Sequence, residues 1–283
     1  MIRFPFFLAR RFVAGATLAD ALVVARQLHK KGIFTTLDHL GEDVTNKRTA
    51  QRATTMYLHL LDRLHREHLD AHISIKLSQL GLAIDKRLAL RNAQKIIRRG
   101  KKHRIMVEID MEGSRYTEDT LNIFLSLLRT NPRILMAIQA YLYRSTQDVR
   151  TLLKKRGSVR LVKGVYKEPD TLAFKNKEEV NINYLKLVAS LLQKGMFTAV
   201  ATHDEKIIHF IKQFVRRKKI SKKKFMFEML YGIRRDLQEE LAREGYCVYV
   251  YVPYGDQWFP YYWRRIRERK ENFFFVLKHL FRA

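Results

Sequence analysis

The chain has 283 residues, of which 47% are hydrophobic, and a formal net charge of +27 at pH 7. This length and apolar content predict a large core. With five prolines, twelve glycines and no low-complexity linker, nothing in the sequence marks a domain boundary. One cysteine, Cys247, excludes an internal disulfide, and no apolar stretch reaches the roughly 18 residues that span a bilayer. The first residues, MIRFPFFLARRF, have too short an apolar run for a signal peptide. We therefore expect a single domain over residues 1–283 and a cytoplasmic location.

Taken in chain order, the apolar pattern predicts a leading helix and then eight units of a short strand followed by a helix. The leading helix is predicted at residues 18–31. The strands are predicted at residues 34–37, 73–77, 105–109, 134–140, 159–162, 197–201, 225–230 and 247–252. The helices are predicted at residues 45–68, 86–99, 118–128, 147–155, 171–192, 205–215, 234–244 and 256–269. Eight such units predict an α/β fold with a closed (βα)8 barrel, and the absence of a GxGxxG motif argues against a doubly wound open sheet.

The stretch 159–169, VRLVKGVYKEP, places Arg160 and Lys163 in an apolar, strand-like run that ends at Gly164. A cation buried on a core strand costs several kcal/mol unless an anion neutralises it, so we expect a partner carboxylate or a bound anion. Gly164 would allow a ligand to approach the backbone closely. The alternative is a surface strand with two solvated cations, because the two side chains fall on opposite faces.

Polar residues collect at the predicted carboxyl ends of the strands, where barrel enzymes build their sites. One interpretation is a divalent-metal hydrolase that uses carboxylates and a histidine. Its candidate ligands are Asp110, Glu112, His203, Asp204 and Glu228. The absence of a His-x-His pair weakens this interpretation. The other interpretation is a site for a phosphate-bearing cofactor and a carboxylate substrate, because ammonium and guanidinium groups bind such anions. The cations for it are Lys76, Arg160, Lys163, Arg264 and Arg265.

Three basic runs, at residues 98–104, 154–156 and 216–224, contain 15 of the 55 lysines and arginines and are predicted in loops away from the site. A solvated surface is one explanation, and attraction to an anionic membrane surface is another. We expect no specific nucleic-acid binding, because no recognition motif accompanies the charge, although a basic nucleic-acid-binding barrel stays an alternative. The segment 273–282, FFFVLKHLFR, has the composition of an interfacial helix or of a capping helix packed on the barrel.

Several sequence blocks resemble those of the monofunctional bacterial proline dehydrogenases. They include TLDHLGE (36–42), ISIKLSQLGL (73–82), IDMEGSRYTEDTL (109–121), RLVKGVYKEP (160–169) and PYYWRRIRE (260–268). The resemblance covers nearly the whole chain. It implies a distorted (βα)8 barrel that binds FAD, oxidises L-proline to 1-pyrroline-5-carboxylate and passes electrons to a membrane quinone.

The resemblance also implies roles for single residues in substrate binding. The substrate carboxylate would be held by Lys76, Arg264 and Arg265, with Glu42 steadying Arg264. An apolar box would surround the proline ring. Its walls would be Leu161, Tyr166, Tyr251 and Tyr261.

For the cofactor, the resemblance places Arg160 beside the reactive edge of the flavin ring and Asp110 as the catalytic aspartate. Further cofactor contacts are implied at Met111, Gln139, Lys163, Gly164, Val165, Thr202, His203 and Glu228. No metal is implied. The block FMFEM departs from the family pattern FEFQM, so Glu228 replaces a glutamine. Either Arg234 or a lysine of the local basic run compensates its charge, or the contacts with the adenosine are rearranged.

Hydride transfer from proline requires a neutral ring nitrogen, because the lone pair of that nitrogen helps to expel the hydride. Five converging cations would disfavour an ammonium, so the proton can leave to solvent. No residue is assigned as a general base.

Overall fold

The computed structural model describes residues 9–268, and this range folds into eight strands and nine α-helices. The strands are β1 (Phe34–His39), β2 (Ala71–Ile75), β3 (Val107–Ile109), β4 (Ile134–Gln139), β5 (Ser158–Val162), β6 (Thr198–Ala201), β7 (Phe225–Leu230) and β8 (Val248–Tyr254). The helices are α1 (Leu18–His29), α2 (Lys47–Arg66), α3 (Lys86–His103), α4 (Ser114–Leu128), α5 (Ser145–Lys154), α6 (Lys177–Lys194), α7 (Glu205–Arg217), α8 (Arg235–Arg243) and α9 (Trp258–Glu268). A short 3₁₀ turn, Lys222–Lys224, precedes β7.

The eight strands form a closed parallel barrel in chain order, which confirms the predicted fold. Closure comes from β1, whose Thr36 pairs with His72 of β2 on one side and Tyr251 of β8 on the other. Side chains alternate along each strand. Leu37, for example, packs in the large core between strands and helices, while the neighbouring Thr36 contacts Glu108 of the non-adjacent β3 across the barrel interior.

Side-chain caps start several helices just after the carboxyl ends of the strands. Asn46 caps α2, Asp85 caps α3 and Asp204 caps α7, each by accepting hydrogen bonds from backbone N–H groups in the first turn. These caps fix the loops that carry the rim of the barrel.

Three helices differ from their predicted limits by four residues or more. The helix predicted from residue 118 begins at Ser114. The helix predicted from residue 171 begins at Lys177, because residues 163–176 form an irregular segment in which Ala173 bridges to Leu142. The helix predicted to end at residue 99 continues to His103, because Gly100 packs closely against Val107 instead of ending the helix. Most of the basic run 98–104 is therefore helical.

Two further expectations concern the ends of the chain and the membrane. None of the helices in the described range is both long and apolar enough to cross a bilayer. The segment 273–282, expected as an interfacial or capping helix, lies outside the described residues.

Candidate active site

A cluster of buried charged side chains fills the barrel interior near the carboxyl ends of the strands. Arg160 on β5 places Nη1 2.7 Å from Oε2 of Glu108 on β3, and its Nη2 pairs with Asp110. All three side chains are buried. Strands β3 and β5 are not neighbours in the sheet, so these ion pairs cross the interior. The anion that buried Arg160 requires is therefore supplied by carboxylates of the protein.

Asp110 is the centre of this cluster. Its Oδ1 accepts a 2.6 Å hydrogen bond from Ser74, and its Oδ2 lies 2.9 Å from Lys76 Nζ and accepts a 2.8 Å bond from the Tyr251 hydroxyl. Burial alone would raise the pKa of Asp110, but the charges of Lys76 and Arg160 hold it well below its usual range. Asp110 is therefore ionised at neutral pH.

Lys76 uses its three ammonium protons within the protein. Its Nζ lies 2.7 Å from Asp38 Oδ2, 2.9 Å from Asp110 Oδ2 and 3.3 Å from the Tyr251 hydroxyl. Burial disfavours the charged form, yet the two carboxylates raise the pKa of Lys76 well above its ordinary value. Lys76 therefore stays charged although it is only 6% exposed.

Helix α9 brings two arginines to the rim. Arg264 Nη1 lies 2.7 Å from Oε1 of Glu42, so the predicted ion pair is present. The Arg264 guanidinium also lies 5.9 Å from the Tyr166 ring centroid, and that of Arg265 lies 5.2 Å from the Tyr261 ring centroid. The structure thus gathers these predicted substrate residues at one end of the barrel.

Lys163 was predicted on a buried strand, but it lies just after β5. The strand ends at Val162, and the Lys163 side chain is about a third exposed, with Nζ 2.9 Å from Asp204 Oδ2. It is a rim cation and is not desolvated on the strand. Gly164 follows with φ +111°, and an added Cβ there would overlap the Tyr141 ring. Val165 is exposed.

Two strands contribute further predicted cofactor residues. Gln139 at the end of β4 donates a 3.0 Å hydrogen bond from Nε2 to the backbone oxygen of Glu112. His203 Nε2 accepts a 2.7 Å bond from the Leu230 N–H, so the ring of neutral His203 carries its proton on Nδ1.

Burial raises the pKa of the Glu112 carboxyl to about 7, against the hydrogen bonds that it accepts from Ser78.

Three further predicted site residues lie in the main core or in a loop beside the charged cluster. Leu161 is fully buried in the main core, on the face of β5 opposite Arg160, so the structure does not bring it to the polar cluster. Met111 is also buried in the main core. Thr202 follows β6, where its hydroxyl accepts a 3.1 Å bond from the Asp204 N–H and so shapes the loop beside Lys163.

The predicted partner of Glu228 was wrong. Arg234 lies at the surface, where it pairs with Asp236 at 2.7 Å and with Glu205. The cation near Glu228 is Arg160, whose Nε lies 3.6 Å from Oε2. The reason is that Glu228 points into the barrel interior, while Arg234 lies beyond the strand end.

Glu108 is a site residue that the sequence prediction missed. It is fully buried, pairs with Arg160, and receives a 3.2 Å hydrogen bond from Thr36 and a 2.8 Å contact from His72 Nδ1. The period of two along β3 could have found it, because Glu108 shares the interior face with Asp110.

The geometry does not resemble a metal centre. Within residues 9–268, no group of three or more His, Cys, Asp and Glu side chains is arranged to hold a metal ion. The carboxylates offered as ligands by the sequence, such as Asp110 and Glu228, face Lys76 and Arg160 instead.

Comparison with known proteins identifies the family. Residues 21–278 match the family model described as proline dehydrogenase. The chain is 40% identical over 270 residues to proline dehydrogenase 1 of Bacillus subtilis subsp. natto, covering 95% of this chain and 89% of that protein. It is 40% identical over 281 residues to the proline dehydrogenase of Deinococcus radiodurans, covering 98% and 91%.

A solved structure supports the fold. The crystal structure of proline utilization A (PutA) from Bdellovibrio bacteriovorus, inactivated by N-propargylglycine, superimposes with a TM-score of 0.87 at 24% sequence identity. The match covers 92% of this chain and 32% of that one, so this chain spans about a third of the longer protein. The matched range, the two relatives and the shared barrel agree, and the chain belongs to the proline dehydrogenase family.

Proposed function

We propose that the protein is an FAD-dependent dehydrogenase that oxidises L-proline to 1-pyrroline-5-carboxylate and passes the electrons to a membrane quinone. One observation carries this proposal: a buried network in which Lys76 and Arg160 share Asp110, at the carboxyl ends of the strands. In a chain of this family, such a network provides fixed charges for a carboxylate substrate on one side and for a cofactor ring on the other.

The substrate carboxylate would bind between Lys76 and the arginines of α9. The three protons of Lys76 face Asp38, Asp110 and Tyr251, and the 3.3 Å contact with the Tyr251 hydroxyl is the longest. We infer that the substrate carboxylate takes the place of Tyr251 at Lys76. A guanidinium has five N–H donors, so Arg264 can keep its bond to Glu42 and bind the substrate as well.

The residues of the barrel interior fit a flavin. Four buried polar atoms there lack a hydrogen-bond partner among the described residues, which is the expected state of a site that completes itself with a polar ligand. They are Arg160 Nε, Asp38 Oδ1 and both carboxyl oxygens of Glu228. Bound FAD would supply the acceptor for the hydride that leaves the proline carbon next to nitrogen. Arg160 would favour negative charge on the ring, and Lys163 with Gly164 would bind nearer the phosphates.

The paired carboxylates change one part of the argument from sequence. Lys76, Arg160, Lys163 and Arg264 each contact at least one carboxylate, so the site does not hold an uncompensated excess of cations. Positive charge in excess therefore does not explain how the proline nitrogen loses its proton. Packing of the amine in a water-poor site is the remaining cause, since burial disfavours an ammonium.

The visible spectrum of the purified protein tests this function. We expect a flavin absorption band that bleaches on anaerobic addition of L-proline and persists with D-proline as the matched control. Colourless protein with a divalent-metal-dependent hydrolytic activity would contradict the proposal and favour the metal-barrel alternative.

A further inference from the structure

Glu228 on β7 is the least satisfied charged residue of the buried cluster. Its side chain is 2% exposed, and neither carboxyl oxygen has a hydrogen-bond partner within the described part of the chain. Its contact with a cation is the 3.6 Å approach of Arg160 Nε, which is longer than a hydrogen bond. An ionised carboxylate in such a place would cost several kcal/mol.

The cation near Glu228 is shared with other carboxyl groups. Arg160 is already paired with Glu108 and Asp110, and Lys76 is paired with Asp38 and Asp110. Four carboxyl groups thus share two cations. One neutral carboxyl group relieves this imbalance, and Glu228 is the member with the fewest bonds to lose.

The titratable and charged groups that act on Glu228 come from several elements. They are Glu108 on β3, Asp110 just after β3, Arg160 on β5, Tyr249 on β8 and Tyr184 on α6. The Thr36 hydroxyl of β1, which donates to Glu108, is also close enough to lower the pKa of Glu228. Burial is the main cause that raises the pKa of Glu228 to about 8, and repulsion from Glu108 adds to it against the attraction of Arg160. His72 faces Glu108, with Nδ1 2.8 Å from Oε1 of that residue.

We propose that Glu228 keeps its proton at neutral pH and acts as a neutral hydrogen-bond donor from the barrel wall to an acceptor atom of the flavin ring. The hydrogen bond to the flavin ring rests on the proposed function, whereas the protonation of Glu228 does not. A protonated carboxyl carries one O–H donor, as an amide carries N–H donors, so a glutamine side chain can replace it. Loss of this proton at alkaline pH puts a negative charge beside Arg160 and weakens the field that favours electrons on the ring.

The first experiment measures the proton without any cofactor. Wild type, Glu228→Gln and the control Glu240→Gln, an exposed glutamate on α8, are compared by infrared spectroscopy and thermal unfolding from pH 5 to pH 9. Glu112, whose pKa is about 7, also contributes to the protonated-carboxyl band, so the measurement is the difference between proteins. We expect the band at pH 7 to be larger in wild type and in Glu240→Gln than in Glu228→Gln, with the difference disappearing as pH rises past about 8. Equal bands in wild type and Glu228→Gln at pH 7 would overturn the proposal.

The pH dependence of thermal unfolding is a second, independent test of the protonation of Glu228. The folded-state pKa of Glu228 is raised, so its contribution to stability is present below the unfolded value of 4.5 and is lost as pH rises toward about 8. The equilibrium constant for unfolding of the wild type, relative to that of Glu228→Gln, should therefore rise by at least about tenfold between pH 5 and pH 7. Parallel profiles for the two proteins would overturn the proposal, and Glu240→Gln should run parallel to wild type.

The second experiment measures the flavin. We expect the midpoint potential of bound flavin in the wild type to fall below that of Glu228→Gln as pH rises through 8, with equal values at pH 6. Equal values at every pH would overturn the contact with the ring. Protein that binds no flavin would contradict the proposed function and that contact together, while the infrared result would still decide the proton.

Discussion

At the scale of single residues, the site is a set of shared charges in which no cation acts alone. Arg160 faces three carboxylates, and Asp110 faces two cations and two hydroxyl groups. Removing one member of such a buried set leaves the others unpaired, which costs more than the pair itself contributes. A substitution here therefore changes stability as well as binding, and the two effects have to be measured separately.

Replacing Arg160 should show both effects. We expect Arg160→Met to lower the free energy of unfolding by about 3–5 kcal/mol, because Glu108 and Asp110 become uncompensated. The loss should shrink as pH falls, since those carboxyl groups can then take up protons. Denaturant unfolding measures it, and Arg160→Met with Glu108→Gln should be more stable than Arg160→Met alone.

The same variant tests the proposed role of Arg160 beside the ring. In rapid-mixing experiments, Arg160→Met should slow flavin reduction by proline, while Arg160→Lys, which keeps the charge, should slow it less. Reduction of Arg160→Met at the wild-type rate would show that the charge does not act on the ring.

The arginines of α9 give a second prediction. Arg264→Met and Arg265→Met should each raise the KM for proline by roughly 10- to 100-fold, since a hydrogen bond to a charged group contributes about 1.5–3 kcal/mol. Flavin content should stay unchanged. Glu42→Gln should raise the KM less, because it only loosens Arg264. Unaltered proline kinetics in both arginine variants would place the substrate carboxylate elsewhere.

Sequence could predict where these residues lie and, through the family resemblance, the pair of Glu42 with Arg264. It could not predict the partners of the buried charges. The strand ends follow from the apolar runs, and all strand ends of a parallel barrel meet at one rim. Arg160 finds Glu108 because the register of β3, β4 and β5 brings the two side chains to facing positions in the interior. That register is a property of the closed sheet, and local pattern does not encode it. Glu228 was given the wrong cation for the same reason.

At the scale of elements, apolar periodicity was enough to find all eight strands and the helix after each of them. It failed at limits that tertiary contacts set. The helix predicted to end at residue 99 continues through Gly100 to His103, where the Gly100 backbone packs against Val107. The segment 163–176 looked partly helical, but it crosses the rim, and its residues bond to the loop after β4, as in the hydrogen bond from the Tyr143 N–H to the Leu172 oxygen.

Gly164 allows a direct test of how this segment is held. We expect Gly164→Ala to destabilise the protein and to reduce flavin retention, because φ is +111° and the new Cβ would overlap the Tyr141 ring. The matched control is Gly32→Ala, where φ is +71° and nothing lies within 4 Å of the added Cβ.

The control separates backbone strain from the collision. Gly32→Ala should cost only the left-handed conformation, about 1–2 kcal/mol, and should leave flavin content unchanged. Thermal unfolding and flavin absorbance measure the two outcomes. Equal losses in both variants would mean that the contact between Gly164 and Tyr141 contributes nothing beyond backbone conformation.

At the scale of the whole molecule, charge and chemistry lie at opposite ends of the barrel. The basic runs at residues 98–104, 154–156 and 216–224 precede β3, β5 and β7, so they lie at the amino-terminal end of the strands. The buried cluster lies at the other end, where barrel sites are built. A bilayer attracted by these runs alone would face the amino-terminal end of the barrel, away from the proposed flavin.

We expect the protein to sediment with anionic vesicles and not with neutral ones, and less so at high salt, because each Lys or Arg near the surface contributes about 1 kcal/mol within a Debye length of about 8 Å. Replacing Lys222, Lys223 and Lys224 by serine should weaken sedimentation. Reduction of vesicle quinone by L-proline should fall when residues 273–283 are deleted, because their apolar and basic side chains suit an interfacial segment. Quinone reduction should not fall in the serine variant. Equal losses of quinone reduction in both variants would mean that the amino-terminal end of the barrel meets the membrane. If the protein does not sediment with vesicles at low salt, the +27 charge is a property of a lysine-rich surface alone.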